Sequence, residues 1–510
     1  MRIRKIIFSR VTLMLLMVIT EGLLIALFVH WLGRNAGWIS GGLRIISIFI
    51  LLNIVRTSRH LSADIMWIFV IFLFPVFGTA VYIILGTNII TSRQTWRLVG
   101  TTADSRKYYQ QDPKVLTEAS DQFPACKGQL RYLSDYAGFP VYENHEEGFQ
   151  YYPLGDDGFP VMLEEMKKAQ KYIFLEYFII DPGEMWDQMH QVLKEKASQG
   201  VLVRVLYDDM GSFTTLPMHY ANTLEEEGIH CIPFNRISPV LGAIMNHRDH
   251  RKILVIDGKT AFSGGINLAD EYINAIERFG HWKDNVIRIK GPTVWSYTVM
   301  FLTHWKALSK EDEDFTKYKV EGGYPTEEKD GYIIPYADSP LDRDHVGQDV
   351  YMNILNEAER YCYIMTPYLI LDNEFVNALI LASARGVDVR IITPGIPDKK
   401  TVWGVTRSFY EELIRGGVKI FEYTPGFVHA KVFVSDDRVA TVGTINLDYR
   451  SLYLHFENGT CLVGSKEVLK VRDDVGETIR QCHEFTLKEA KFGPIANIKN
   501  SVIRIFAGQL

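Results

Sequence analysis

The eighteen residues HRKILVIDGKTAFSGGIN that begin at His250 are written again 179 positions later, from His429, as HAKVFVSDDRVATVGTIN, with eight positions identical. A chain that repeats itself at this spacing must give both copies equivalent surroundings, which restricts it to a pair of like domains. The flanks repeat as well. KYIFLEYFII (171–180), MWDQMHQVLKEKASQG (185–200) and VLVRVLYDD (201–209) read as strand, helix and strand, and RYCYIMTPYLIL (360–371), NEFVNALILASARG (373–386) and VDVRIITPG (387–395) follow in the same order. Apolar runs alternating with helical patterns are the rhythm of an α/β fold, and a unit of this length is far too long for a solenoid.

Within each motif the histidine and lysine stand two apart in an apolar run, so an extended backbone points both to one face. His250 and Lys252 project together, as do His429 and Lys431. Asp257-Gly258 is a hairpin signal. The returning strand carries Asn267 back towards His250, and Asn446 towards His429.

Two imidazoles about one centre divide the labour of a substitution, one attacking and the other protonating the leaving group. Lysines and asparagines supply donors for a bound oxyanion, and these count for more where water is excluded. A phosphodiester carries that anion, and no metal or cofactor is required. Asp257 and Asp436 belong to the motif and are counted with its catalytic set, although a position beside a turn suits a structural carboxylate better.

Rival chemistries fit less well. His247, Asp249 and His250 offer metal ligands, but Arg248, Arg251 and Lys252 would repel a cation. No G-x-S-x-G elbow or phosphate-binding Walker loop is present. Five scattered cysteines without a C-x-x-C pair suggest neither a disulfide framework nor a zinc site. A formal net charge of −6 argues against broad attraction to nucleic acid.

The N-terminus is apolar. Residues 11–32 and 64–86 each have the length a helix needs to cross ~30 Å of hydrocarbon; residues 38–55 between them are shorter and carry Arg44. Two or three transmembrane helices are therefore expected in an anchor over residues 1–90. A linker over 91–130 and two α/β domains over 131–325 and 326–510 complete the expected organisation. Arg2, Arg4, Lys5 and Arg10 place the N-terminus in the cytoplasm. Three spans then put the domains outside and two keep them inside.

The paired motif resembles that of the phospholipase D superfamily, H-x-K-x(4)-D-x(6)-G-[GS]-x-N, usually present twice. His250, Lys252, Asp257, Gly264, Gly265 and Asn267 match it throughout. His429, Lys431, Asp436, Gly443 and Asn446 match it with Thr444 where glycine or serine is usual. From about residue 64 to the C-terminus the sequence is similar to the bacterial cardiolipin synthase branch, in FLFPVFGTAVYIILG, LYDDMGS, NHRDHRKILVIDG, TPYLILD and NLDYRSLYLHFENG.

The resemblance implies two duplicated phospholipase D-like α/β domains sharing one active site behind transmembrane helices, in a multi-pass protein of the bacterial cell membrane. It implies a phosphohistidine intermediate, with His250 as nucleophile and His429 as general acid and then base, or the reverse. Lys252, Lys431, Asn267 and Asn446 would hold the phosphate oxygens. Glu457 resembles an acid that orients a motif histidine through its second ring nitrogen, and Asp284 is its counterpart in the first half. The implied reaction is phosphatidyl transfer between two phosphatidylglycerol molecules, giving cardiolipin and glycerol; a membrane phospholipase D hydrolase or another phosphatidyltransferase would keep the same residues. Membrane lipids are the implied partners, nucleic acid is not, and self-association is left open.

Overall fold

Each motif copy folds as a β-hairpin. Ile253–Ile256 pairs antiparallel with Thr260–Gly264, and Val432–Ser435 with Val439–Gly443. At the turns Asp257 and Gly258 have φ of 54° and 65°, and Asp436 and Asp437 have 57° and 61°. Aspartate and glycine are among the residues that accept this left-handed backbone most readily.

The computed structural model describes residues 19–505 apart from 21, 25–26, 28–29, 32–36, 58–60, 84–92, 237–246, 321–322, 324–325 and 343. Two mixed sheets are built around the hairpins. The seven-stranded sheet runs in the order Phe149–Tyr152, Val286–Lys290, Thr260–Gly264, Ile253–Ile256, Tyr172–Tyr177, Leu202–Asp208, His230–Phe234. The ten-stranded sheet places Val432–Ser435 and Val439–Gly443 between Tyr361–Met365 and His455–Val463, with the parallel strands Asp388–Pro394 and Lys419–Tyr423 beyond. The expected duplicated α/β architecture is present.

Side chains from the facing sides of both sheets share one core. Phe174, Val255 and Ile287 from the first meet Ile333, Val434 and Leu462 from the second, together with the helix Val294–Ser309. That helix is buried on nearly every side, which explains why its sequence is apolar all round instead of striped. Separate apolar clusters cover the outer face of each sheet. Residues 91–130, read as a linker, carry the helices Arg93–Ser105, Pro113–Gln122 and Lys127–Arg131, and Ala119, Cys126 and Leu130 join the core of the second half.

Two short parallel pairings cross between the halves. Arg248–Asp249 pairs with the start of His455–Val463, and Gly426–Val428 pairs with His281–Lys283. Each lies immediately before a motif histidine, so each histidine is positioned by the opposite half. His250 N–H donates to Phe456 O at 2.9 Å, and His429 N–H to Lys283 O at 2.8 Å.

The N-terminal expectation is corrected in part. The apolar run 64–86 is not one helix: Leu61–Leu73 ends at Phe74, and Pro75 opens a new helix, Pro75–Val81. Thirteen residues of helix reach only ~20 Å, short of the hydrocarbon thickness. The helix Gly37–Thr57 carries Arg44, Ser47 and Asn53, and its Ser47 Oγ lies 2.7 Å from Pro75 O. Most of 11–32 falls outside the described residues. Among the described residues no helix is long and apolar enough to cross a membrane.

Candidate active site

The crossed pairings deliver one carboxylate to each imidazole. Glu457 follows the strand residues that hold His250, and its carboxylate oxygens lie 2.9 and 3.0 Å from His250 Nδ1. Asp284 follows Lys283, and its Oδ2 lies 2.6 Å from His429 Nδ1. An ionised carboxylate only accepts, so the proton sits on Nδ1 of each ring and the Nε2 lone pair is left free. Both acids are fully buried.

The residue after the first motif glycine adapts to the acid beside it. A Cβ on Gly265 would meet Asp284 Oδ1 at 1.9 Å, so any side chain there would have to displace the carboxylate. At the corresponding position Thr444 donates its hydroxyl to Glu457 Oε2.

His250 and His429 open on one cleft of about 470 Å³, together with Asn267 and Asn446. Its walls come from both halves. Tyr272 packs edge-on to His429 at 5.3 Å between ring centroids, with Trp282 and Phe427 at 5.6 and 5.9 Å. Phe178 and His455 pack on His250 at 5.0 and 5.5 Å.

Electrostatics follow from this enclosure. Burial, the lysine charges and the partner imidazole hold His250 well below its usual range. Burial and Lys431 lower His429 to about 4, against the pull of Asp284. Both rings are therefore neutral at neutral pH. Burial also lowers Lys252 to about 7 and Lys431 to about 8, partly offset by Glu457 and Asp284. Burial sets these values, and an anion in the cleft would raise both again.

Both lysines are buried behind the imidazoles. Lys252 Nζ donates to His250 O at 2.6 Å, and Lys431 Nζ donates to His429 O and lies 2.9 Å from His429 Nδ1. Asn267 donates to Tyr272 Oη at 2.8 Å, whereas the buried Asn446 Oδ1 has no hydrogen-bond partner among the described residues.

The structure sets Asp257 and Asp436 apart from this group. Asp257 accepts the backbone N–H groups of Gln170, Lys171 and Tyr172 at 2.7 to 2.9 Å. Asp436 does the same for Glu359, Arg360 and Tyr361. Each carboxylate fastens the hairpin to the start of the neighbouring strand, at the opposite end of its own strand from the histidine.

His455, Tyr272, Trp282 and Arg450 also line the cleft and were missed by sequence reasoning. His455 had a signal, since it stands two residues before Glu457 in a strand and so shares its face. His250, His455 and Glu457 bring ligand-type atoms within 4.8 Å of one another. Glu457 is already engaged by His250 and Thr444, and Lys252 and Lys431 act on the same group, so the donor set does not suit a cation. In a second such group, Glu176, Asp249 and His304, both carboxylates are ion-paired with Arg251.

Duplicated α/β domains that bring two histidine–lysine motifs to a common cleft define a phospholipase D-like protein. The family model described as "Cardiolipin synthase, PLD-like domain" matches residues 162–305 and 351–477, and the one described as "Phospholipase_D-nuclease N-terminal" matches 45–86. The chain belongs to the cardiolipin synthase family of the phospholipase D superfamily. It is 32% identical to a cardiolipin synthase of Geobacillus kaustophilus over 98% of this chain and 99% of that one. An uncharacterised protein of Streptococcus mutans is 45% identical over 85% of this chain and 94% of its own length. The crystal structure of phosphatidylserine synthase from Haemophilus influenzae shares the fold, with a TM-score of 0.58 at 14% identity, covering 74% of this chain and 99% of that one.

Proposed function

We propose that this enzyme is a cardiolipin synthase that transfers a phosphatidyl group from one phosphatidylglycerol to another, releasing glycerol. The observation that carries the reading is the pair of neutral imidazoles in one cleft, each oriented by an acid from the opposite half.

His250 is assigned the attack. Its Nε2 forms a bond to phosphorus as the bond to the glycerol oxygen breaks, and His429 gives that oxygen a proton. The terminal hydroxyl of the second lipid then attacks phosphorus, the phosphorus–nitrogen bond breaks, and the hydroxyl proton returns to His429. One phosphodiester replaces another, so no energy source is needed. The anionic diester raises the proton affinity of His429, which lets an otherwise neutral ring serve as an acid. Lys252, Lys431, Asn267 and Asn446 offer donors to the charge that develops on phosphorus.

The membrane arrangement belongs to the same proposal. Ile45, Ile48, Phe49 and Leu52 of Gly37–Thr57, and Phe69 and Phe72 of Leu61–Leu73, are exposed, and a surface of this kind suits lipid. A membrane anchor rests on this apolar surface and on the hydropathy of 11–32; recovery of the chain in the soluble fraction after alkaline extraction of membranes would overturn it.

Purified enzyme given labelled phosphatidylglycerol should yield cardiolipin and glycerol in equal amounts, resolved by mass. Phosphatidic acid as the main product would make the enzyme a hydrolase, and an undiminished rate after replacing either histidine would end the mechanism.

A further inference from the structure

The two motif copies hold their imidazoles alike, yet four residues beyond each motif asparagine the charge reverses. Glu271 stands in that place after Asn267, and Arg450 after Asn446. Both line the cleft. Glu271 is paired with Arg278 at 2.5 Å. Arg450 makes no salt bridge among the described residues; its Nε–H donates to His455 Nε2 at 3.3 Å. Asp448 acts on it through space but spends a carboxylate oxygen on the N–H of Ser451, at 2.9 Å.

The cleft is therefore lopsided. Around His429 it is aromatic, with Tyr272, Trp282 and Phe427. Around His250 it presents a guanidinium with unused donors, and His455 bridges the two, hydrogen-bonded to Arg450 and packed on His250. A cation enclosed without a paired carboxylate is costly unless an anion joins it.

The transfer proposed above, on which this inference rests, brings a second anion to the cleft. The acceptor lipid has its own phosphodiester, three carbons from the hydroxyl that attacks. We propose that Arg450 holds that second phosphodiester, making this flank the acceptor subsite. The guanidinium fork suits two non-bridging phosphate oxygens, and the three-carbon tether lets the second phosphate fold towards the His250 flank. Water and simple alcohols have no phosphate to place there. Arg450 thereby favours a lipid acceptor over either.

The test sets two acceptors against each other. Enzyme in detergent micelles is given phosphatidylglycerol with 1-butanol as a neutral competitor, and the ratio of cardiolipin to phosphatidylbutanol is measured for wild type, Arg450→Gln, Arg450→Lys and Lys399→Gln, the last on another part of the cleft rim. The ratio should fall about 10- to 100-fold in Arg450→Gln and recover in part in Arg450→Lys. A wild-type ratio in Arg450→Gln, whatever its total rate, would overturn the proposal, as would an equal fall in Lys399→Gln. Wild-type enzyme that makes phosphatidylbutanol but no cardiolipin would instead remove the transfer reading itself.

Discussion

His250 Nδ1 lies 2.9 Å from the carboxylate of Glu457, a residue 207 positions further along the chain and in the other half of the molecule. The relationship between His429 and Asp284 is its mirror, crossing the other way. Neither half alone contains an imidazole together with the acid that orients it.

Replacing Glu457 by glutamine should therefore disable His250. The amide nitrogen offers a donor where Nδ1–H needs an acceptor, which favours the wrong tautomer, and kcat should fall roughly 10²- to 10⁴-fold. Asp284→Asn should act likewise through His429. Crossing is tested by double-mutant cycles on kcat: Glu457 should couple to His250 more strongly than to His429, and the opposite order would refute the pairing.

The lysines predict a pH dependence. Burial lowers Lys252 to about 7 and Lys431 to about 8, so their positive charge is present below that range and lost as pH rises through it. A phosphonate ester of glycerol keeps one negative charge throughout and should bind more weakly as pH rises from 7 to 9. Its inhibition constant should climb by up to about tenfold per pH unit for each proton that binding requires. Lys252→Met should bind it weakly throughout and flatten that climb; a profile unchanged by this substitution would separate Lys252 from phosphate binding.

Asp257 and Asp436 should behave as structural residues. Removing the Asp257 carboxylate strands three backbone N–H groups and leaves an alanine with positive φ. Asp257→Ala should cost roughly 2–4 kcal/mol of stability by urea denaturation. Turnover per folded molecule should be unchanged, and a specific loss of kcat in fully folded protein would return the residue to the catalytic set.

The motif made much of this legible. Two residues apart in an apolar run was enough to place each histidine beside its lysine, and the Asp-Gly turn marked the hairpin that brings Asn267 back to the cleft. The crossing of Glu457 and Asp284 was not legible, because chain distance within a half carries no information about a contact made between halves. The aromatic wall of Tyr272, Trp282 and Phe427 was hidden for the same reason, since its members come from two domains and share no period. At the N-terminus hydropathy recorded apolarity over 64–86 but not the break at Pro75, although a proline, which lacks a backbone N–H and crowds the preceding turn, marked the place.

The last prediction concerns the position after each first motif glycine, where the copies differ. Gly265 leaves room for Asp284, and a methyl group there would fall 1.9 Å from Oδ1. Gly265→Ala should push that carboxylate off His429 and lower kcat to the level of Asp284→Asn, with little further loss when the two are combined. Thr444 instead holds Glu457 with its hydroxyl. Thr444→Ser keeps that donor and should leave the rate near wild type, whereas Thr444→Val is close in shape, leaves a buried carboxylate oxygen short of a partner, and should slow turnover. The comparison is made by kcat on protein checked for folding by thermal melting. Equal rates for the serine and valine variants would show that the hydroxyl does not help to orient the acid, and that the two halves of the site differ there in packing alone.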